Sequence, residues 1–418
     1  MSPTATAALQ PVMLGADIGV YALARAFHEE YGVRSIVVSG AALGPVAHSR
    51  IVENVLVADG HDPRQLVDAL LRIARDPAHA SARLVLLANS DWLVRVVVQH
   101  RDELEPFYVV PFLSEELLDR ISDKATFAEI ATGLGISVPR TIVQDFAGAD
   151  DAGWAPVPVD IAYPLIAKAA SSADYQDVEF AGKKKVFEIA TPAELDALWV
   201  SLRAAGFRGR FVVQDLVPGD DTQMRSITAY VDSRGELTLL CSAHVLLEEH
   251  TPSGLGNPAA MVVTRIDPML EQARRFLTAT GYVGFANFDV KVDPRDGSFR
   301  FFEVNPRIGR NNYYVTAAGA NVARFVVGDR VEGRAVEPVV VDREVLYSIL
   351  PHRLLLRYVL DPALAGRVRA LIRAGAVAHP LRYRADSGPR RRWYVTAAFV
   401  NQIRKFRRYY PRATGTGF

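Results

Sequence analysis

Over residues 11–110, short apolar runs alternate with amphipathic ones, and this alternation constrains the fold more than any other feature of the chain. PVMLGAD reads as a strand ending in a turn. IGVYALARAFHEEYG has helical spacing and a glycine stop at Gly32. SIVVSG, ENVLVAD, ARLVLLAN and FYVVPF read as further short strands, with a helix over 63–74. Such alternation predicts a parallel sheet covered by helices. The first turn, LGADIG, lacks the full glycine-rich dinucleotide fingerprint, so the domain is read as Rossmann-like with no NAD site.

With 418 residues, two or three domains are expected. A net charge of +1 supplies no global field for nucleic acid, and nucleic-acid partners are not expected. The single cysteine, Cys241, excludes an intramolecular disulfide framework and a multi-cysteine metal site, which suits a cytoplasmic protein. MSPTATAALQPV has no basic region followed by an apolar core, so no signal peptide is read there. No apolar run approaches the roughly 20 residues of a membrane span.

Further along, a helix is predicted over 114–135, with Ser122 or Asp123 as a cap, and residues 146–160 form a Gly/Pro-rich connection. PLIAKAA and GRFVVQDLVPG read as strands flanking a helix at 192–205. SITAYV, LTLLCSAHVLL and MVVTRI read as strands, followed by a helix at 268–280, a hairpin over 284–305 and a helix at 315–327. Residues 335–418 read as a separate α/β tail, strongly basic after Leu381.

The hairpin carries the densest chemistry. In GFANFDVKV, Ala286, Phe288, Val290 and Val292 point one way and Asn287, Asp289 and Lys291 the other. DPRDG supplies turn residues, and the return strand SFRFFEVN puts Phe301, Glu303 and Asn305 on one face. That register sets Asp289 opposite Glu303, a repulsive pair unless a divalent cation lies between them. Two carboxylates and an amide oxygen form a hard, incomplete site that suits Mg²⁺ shared with phosphate oxygens. Arg307, just beyond, can neutralise a phosphoryl group. The competing reading is a solvated hairpin face with a charged turn.

Lys168 ends an apolar strand, where an unpaired ammonium is costly unless it meets an anion. The small residues of AASSADY, Ser171 among them, let backbone amides approach a phosphate. Lys124 starts a predicted helix, near its positive end. Each lysine alone reads more readily as a solvated surface residue. EFAGKKKVFEI suits a mobile lid or a solvated turn. VVQDLVPGDD reads as a linker whose backbone can meet an adenine edge, with Asp220 or Asp221 near a ribose.

Taken in order, these parts resemble the ATP-grasp superfamily over residues 114–327: lysine, lysine after a strand, Q-D-x-V-P-G, aspartate, then E-V-N-P-R. The resemblance implies an α/β chain with an ATP-grasp fold, an N-terminal Rossmann-like pre-grasp domain (1–113), the grasp domain itself (114–334, with a lid-like subdomain about 160–215) and a C-terminal basic α/β region (335–418). It implies that Lys124, Lys168 and Ser171 hold ATP phosphates, that Gln214, Asp215 and Val217 meet adenine, and that Asp221 lies near the ribose. Asp289, Glu303 and Asn305 would bind Mg²⁺, with Mn²⁺ as a substitute. Arg307 and Arg310 would be catalytic. Asp215 stands where glutamate is commoner in the superfamily, which weakens the adenine assignment there.

Within the superfamily, LGADIGVYALARAFHEEYG and ADYQDVEFAGKKKVFEI resemble D-aspartate ligases of the peptidoglycan cross-bridge. This closer resemblance implies that ATP activates the β-carboxylate of D-aspartate as an acyl phosphate. The lysine ε-amine of a peptidoglycan precursor then attacks it, leaving ADP and phosphate. His244, Glu248 and Glu249 are candidate bases, and GLGNPAA a candidate lining of the acceptor side. The basic tail suits either an anionic precursor or membrane surface, or a solvated face over packed aromatics. A cytoplasmic protein working at the inner face of the membrane, with a homodimer allowed, completes this expectation. The alternatives are an amide ligase for another carboxylate and an ATP-binding regulatory protein without turnover.

Overall fold

The structure, a computed structural model, describes residues 8–171, 174–175, 178–252 and 254–415. Positions 172–173 of the small-residue loop, 176–177 of the family-like segment and the first seven residues, on which the signal-peptide reading partly rests, lie outside the described residues. The chain divides into two compact units. The first comprises Met1–Glu115, Asp220–Asn287 and Asn305–Phe418, and the second Glu116–Gly219 and Phe288–Val304. Residues 335–418 therefore share a unit with the N-terminal segment rather than forming a separate tail.

The first unit opens with a five-stranded sheet. Strands β1 (Ala8–Leu14), β2 (Ser35–Ser39), β3 (Val52–Leu56), β4 (Ala82–Ala88) and β5 (Tyr108–Val109) are all parallel, in the order β3-β2-β1-β4-β5. The strand order reverses between β1 and β4, and the crevice outside their carboxyl ends is where such sheets bind ligands. The helix Ile18–Tyr31 starts there. Asp17 caps it by accepting from the amides of Gly19 and Val20, and Gly32 ends it at φ 67°.

The second unit contains β6 (Thr141–Asp145), β7 (Leu165–Ala169), β8 (Phe187–Ile189) and β9 (Arg210–Asp215) in an antiparallel sheet ordered β6-β9-β7-β8. An aromatic core of Phe146, Trp199, Phe207 and Phe211 packs against it with rings edge to face. The helix expected over 114–135 is two helices, Glu115–Ser122 and Lys124–Gly133. Asp123 interrupts it by capping the second through the Thr126 amide.

The third sheet is ordered β14-β13-β10-β11-β12-β16-β17, with β15 beside β11. Its strands are β10 (Met224–Val231), β11 (Leu237–Glu248), β12 (Pro258–Val263), β13 (Gly284–Val292), β14 (Phe299–Asn305), β15 (Val339–Val340), β16 (Leu346–Ser348) and β17 (Val377–Ala378). The hairpin lies where the sequence predicts it, but β14 does not alternate strictly. Its buried residues Phe301 and Val304 are three apart, and the Phe301 ring packs on Phe288 at 5.8 Å. The expected common face of Phe301 and Glu303 is thus corrected. Phe301 donates its amide to Ser137, while Glu303 lies beside Lys124. The helix expected at 315–327 is also split, into Tyr313–Ala317 and Val322–Arg330, with Gly319 at φ 104° between them.

The basic C-terminal segment forms the helix Pro389–Tyr409, and one buried ion pair explains why it belongs to the first unit. The Arg391 side chain is 1% exposed and its Nε lies 3.5 Å from Asp386. Its guanidinium stands 4.0 Å over the Tyr21 ring and donates to the carbonyls of Gly44 and Pro45. Asp386 accepts from Tyr21, Ser49 and the Arg50 amide, each at 2.8 Å. Removing one partner of a buried pair strands the other charge. Arg391→Ala should therefore cost about 3–5 kcal/mol in denaturant unfolding. Trp393→Ala, on the same helix but 74% exposed, should stay within about 0.5 kcal/mol.

Candidate active site

In the second unit, three ammonium groups act on one carboxylate. Lys124 is the first residue of its helix, where the Asp123 cap and a bond from the Lys124 amide to the Ala170 carbonyl (3.1 Å) fix its backbone. Its Nζ lies 3.4 Å from Glu303 Oε2. Lys168 projects from β7, with its Nζ 5.7 Å from the Phe302 ring centre. Burial pushes the Lys168 ammonium down to about 8. Glu303 opposes that shift, Lys124 and Lys185 add to it, and Asp289 opposes it more weakly. Burial alone would raise the Glu303 carboxyl, but Lys124, Lys168 and Lys185 hold it well below the ordinary carboxylate range. Lys185 comes from the lysine run, which sequence reasoning left between a lid and a solvated turn. Lys183 of the same run is held by Glu179 at 3.1 Å.

The hinge is more committed than its sequence suggests. Gln214 is buried, pairs in the ladder with both Thr141 and Ile166, and donates its side-chain amide to Thr141 Oγ1 at 2.9 Å. Asp215 gives its backbone amide to the Arg140 carbonyl and its carboxylate to Arg295 at 2.6 Å. Arg295 also binds Asp293, whose carboxyl it holds down at about 2. The backbone able to meet an adenine edge thus begins after the strand, at Leu216 and Val217, which make no backbone hydrogen bond among the described residues. Lys291 Nζ donates to the Gly219 carbonyl at 2.7 Å, tying the hairpin to the end of this linker. Ser171 Oγ accepts from the Asp174 amide at 3.3 Å.

The first unit carries the remaining candidates. Arg307 grips Asp91 with Nε (2.7 Å) and Nη2 (3.2 Å), and Nη2 also donates to Asn305 Oδ1 at 3.1 Å. Arg310 binds Glu249 at 2.6 Å and Asp17 at 3.2 Å. Glu249 is buried and also faces Lys405 at 3.6 Å. Asp17 and Asp91 sit at the carboxyl ends of β1 and β4, where the sheet order reverses. Gly19 makes this approach possible, since a Cβ there would lie 2.8 Å from the Arg310 backbone. Sequence reasoning missed Asp17, Asp91 and Lys405. The only hint was an acid immediately after each of two strands.

Asp221 is buried, and its Oδ2 accepts from the Glu248 amide (2.8 Å) and meets His250 Nε2 (2.9 Å). Its Oδ2 atom thus orients His250. His244 Nε2 is 2.7 Å from the Thr222 carbonyl, and burial with Arg225 nearby lowers the imidazole to about 4, which makes it a poor base. Glu249, another candidate base, is occupied by Arg310 and Lys405.

Among the described residues, no group of three or more His, Cys, Asp or Glu could hold a metal. The charges of both Glu303 and Asp289 favour the protonated form of Lys168. Asn305 lies two residues along the strand from Glu303. Carboxylate oxygens are the hard ligands that suit Mg²⁺ taking its remaining ligands from phosphate.

No family model matches the chain. It is 31% identical over 407 residues, covering 96% of both chains, to the D-aspartate ligase of Enterococcus faecium (strain Aus0004). Among solved structures it resembles N5-carboxyaminoimidazole synthetase from Staphylococcus aureus complexed with ADP (15% identity, 81% of each chain, TM-score 0.56). It also resembles the biotin carboxylase domain of Hydrogenobacter thermophilus 2-oxoglutarate carboxylase with MgADP (13%, 78% of this chain and 71% of that one, TM-score 0.56). A third likeness is to L-amino acid ligase from Bacillus licheniformis (14%, 76% and 70%, TM-score 0.50). At these identities the structural likenesses speak for the fold.

The charge cluster makes a direct prediction. Lys168 should titrate near 8 when followed by NMR of ¹³C-methylated lysines. Glu303→Gln removes the carboxylate that raises Lys168 and should move its midpoint further down. An upward or absent shift would show that the two groups do not interact.

Proposed function

The chain belongs to the D-aspartate ligase family and has the ATP-grasp fold, and from that premise we propose that it joins the β-carboxylate of D-aspartate to the lysine ε-amine of a peptidoglycan precursor. It is an ATP-dependent carboxylate–amine ligase; the identities of donor and acceptor are the proposed part, supported by the relative from Enterococcus faecium. The observation that carries the chemistry is the convergence of Lys124, Lys168 and Lys185 on an ionised Glu303.

A carboxylate does not react with an amine directly, because oxide is too poor a leaving group. In the proposed reaction, a donor carboxylate oxygen attacks the γ-phosphorus of ATP, ADP leaves, and an acyl phosphate forms. Lys124 and Lys168 neutralise the phosphate oxygens, and Lys168 remains mostly cationic at neutral pH because it titrates near 8. The backbone after Asp215, at Leu216 and Val217, meets the adenine edge. Asp289, Glu303 and Asn305 would hold Mg²⁺, or Mn²⁺ in its place, which neutralises phosphate charge when bound. Arg307 stabilises the transferring phosphoryl, and Arg310 the oxyanion that forms when the amine attacks the acyl carbon. That carbon then expels phosphate, and the nitrogen loses its proton. The same reading puts the protein in the cytoplasm. Among the described residues no helix is long and apolar enough to cross a membrane.

Incubation with ATP, Mg²⁺, D-aspartate and a lysine-containing precursor should release phosphate and form an amide. Release with other amino acids alone would redirect the reading to a different amide ligase, and nucleotide binding without ADP formation to a regulatory protein. Glu303→Ala should lower phosphate release by at least about 10²-fold with the fold intact. The kcat/KM for ATP should fall as pH rises through about 8, because Lys168 loses its charge there. Lys168→Arg should move that limb to higher pH.

A further inference from the structure

The first unit contains a cavity of about 390 Å³ that none of the residues discussed above explains. It is within the roughly 300–1,000 Å³ range of small-molecule sites. Its walls come from segments far apart in sequence: Arg25 of the first helix, Arg343 before β16, His352 after it, His379 and Arg382 after β17, and Phe399 of the C-terminal helix. Among the described residues, no aspartate or glutamate lines it.

The charge in this cavity is unevenly compensated. Arg25 is satisfied. Its Nε pairs with Glu29 at 2.8 Å, and its Nη1 donates to the carbonyls of His379, Pro380 and Arg382 at 2.8–3.0 Å. It shapes the loop that presents His379 and Arg382. Arg382 lies over the Phe399 ring at 4.6 Å. Among the described residues, neither Arg343 nor Arg382 has a carboxylate partner, and both are exposed. Of the acids that flank Arg343, Glu344 is held by Arg367, and Asp342 does not line the cavity.

The imidazoles report the same field. His379 Nδ1 accepts from the Leu381 amide at 3.1 Å, which leaves its Nε2 as the second polar atom. Burial pushes His379 down to about 3, and Arg382, Arg25, Arg391 and His352 all push the same way. His352 is lowered by burial and then by Arg382. The Arg343 and Arg382 guanidinium groups, which have no carboxylate partner among the described residues, together with the imidazole donors suit an oxyanion with more than one negative charge.

We propose that this cavity is a binding site for a phosphate ester or pyrophosphate group of an organic molecule. It uses none of the residues assigned to ATP, and the proposal stands independently of the choice of donor and acceptor.

The test is calorimetric titration of inorganic pyrophosphate, and in a parallel arm inorganic phosphate, into the full chain pre-saturated with ADP in the absence of divalent cations. At least one anion should bind at a single site. A preference for pyrophosphate points to a diphosphate ligand, and equal binding points to a phosphate monoester. Arg343→Gln with Arg382→Gln should weaken binding at least tenfold and leave ADP affinity unchanged. Arg382→Lys, which keeps the charge, should retain most of the affinity. The His352 and His379 ring resonances should move on binding. If neither anion binds, if the double variant binds as well as the parent, or if the histidine resonances do not move, the proposal is wrong.

Discussion

Arg310 is the residue through which the first unit is joined. Its guanidinium lies between Asp17, which caps the first helix, and Glu249, which follows the long strand β11. Glu249 reaches Lys405 on the C-terminal helix. One charge cluster thus links the parallel sheet, the mixed sheet, the loop after β14 and the end of the chain. Glu249 is only 4% exposed, so it needs both cations, since a buried carboxylate without a counter-charge is costly. The backbones approach closely as well. Asn312 donates to the carbonyls of Gly19 and Gly309, and Gly19 has no room for a side chain.

The second unit applies the same physics to different residues. Glu303 remains ionised in a buried setting because lysines, Lys124 first, surround it, and its charge in turn favours the proton on Lys168. A ligand with several negative oxygens would find positive groups already in position, at little cost in reorganisation. The hinge shows the opposite arrangement: Asp215 and Gln214 are bound to neighbours, while Leu216 and Val217 beyond them make no backbone hydrogen bond among the described residues.

Much of this was legible in the order of residues. The apolar runs of the first 110 residues become a parallel sheet in which all five residues of β2 are buried. Asp123 interrupts a helical stretch because its side chain satisfies an amide that no helical carbonyl can reach. The hairpin with Asp289 and Glu303 follows from period-two alternation and a turn sequence. That alternation overreached at Phe301, whose packing on Phe288 and bond to Ser137 depend on elements far away in the chain. Asp91, Asp17 and Lys405 were not legible, because nothing local distinguishes a surface acid or lysine from one that meets an opposite charge on a remote segment.

The sequence by itself determined the element types, the candidate carboxylates and lysines, and the resemblance that points to a ligase. Periodicity, turn chemistry and motif order act over a few residues, so they can be read directly. The tertiary structure decided which charges are spent on one another. It set Asp221 against His250, Arg310 against Glu249 and Arg391 against Asp386, and it left Arg343 and Arg382 on a cavity that no acid lines among the described residues. Pairing depends on distance and burial, and both are fixed only when remote segments pack together.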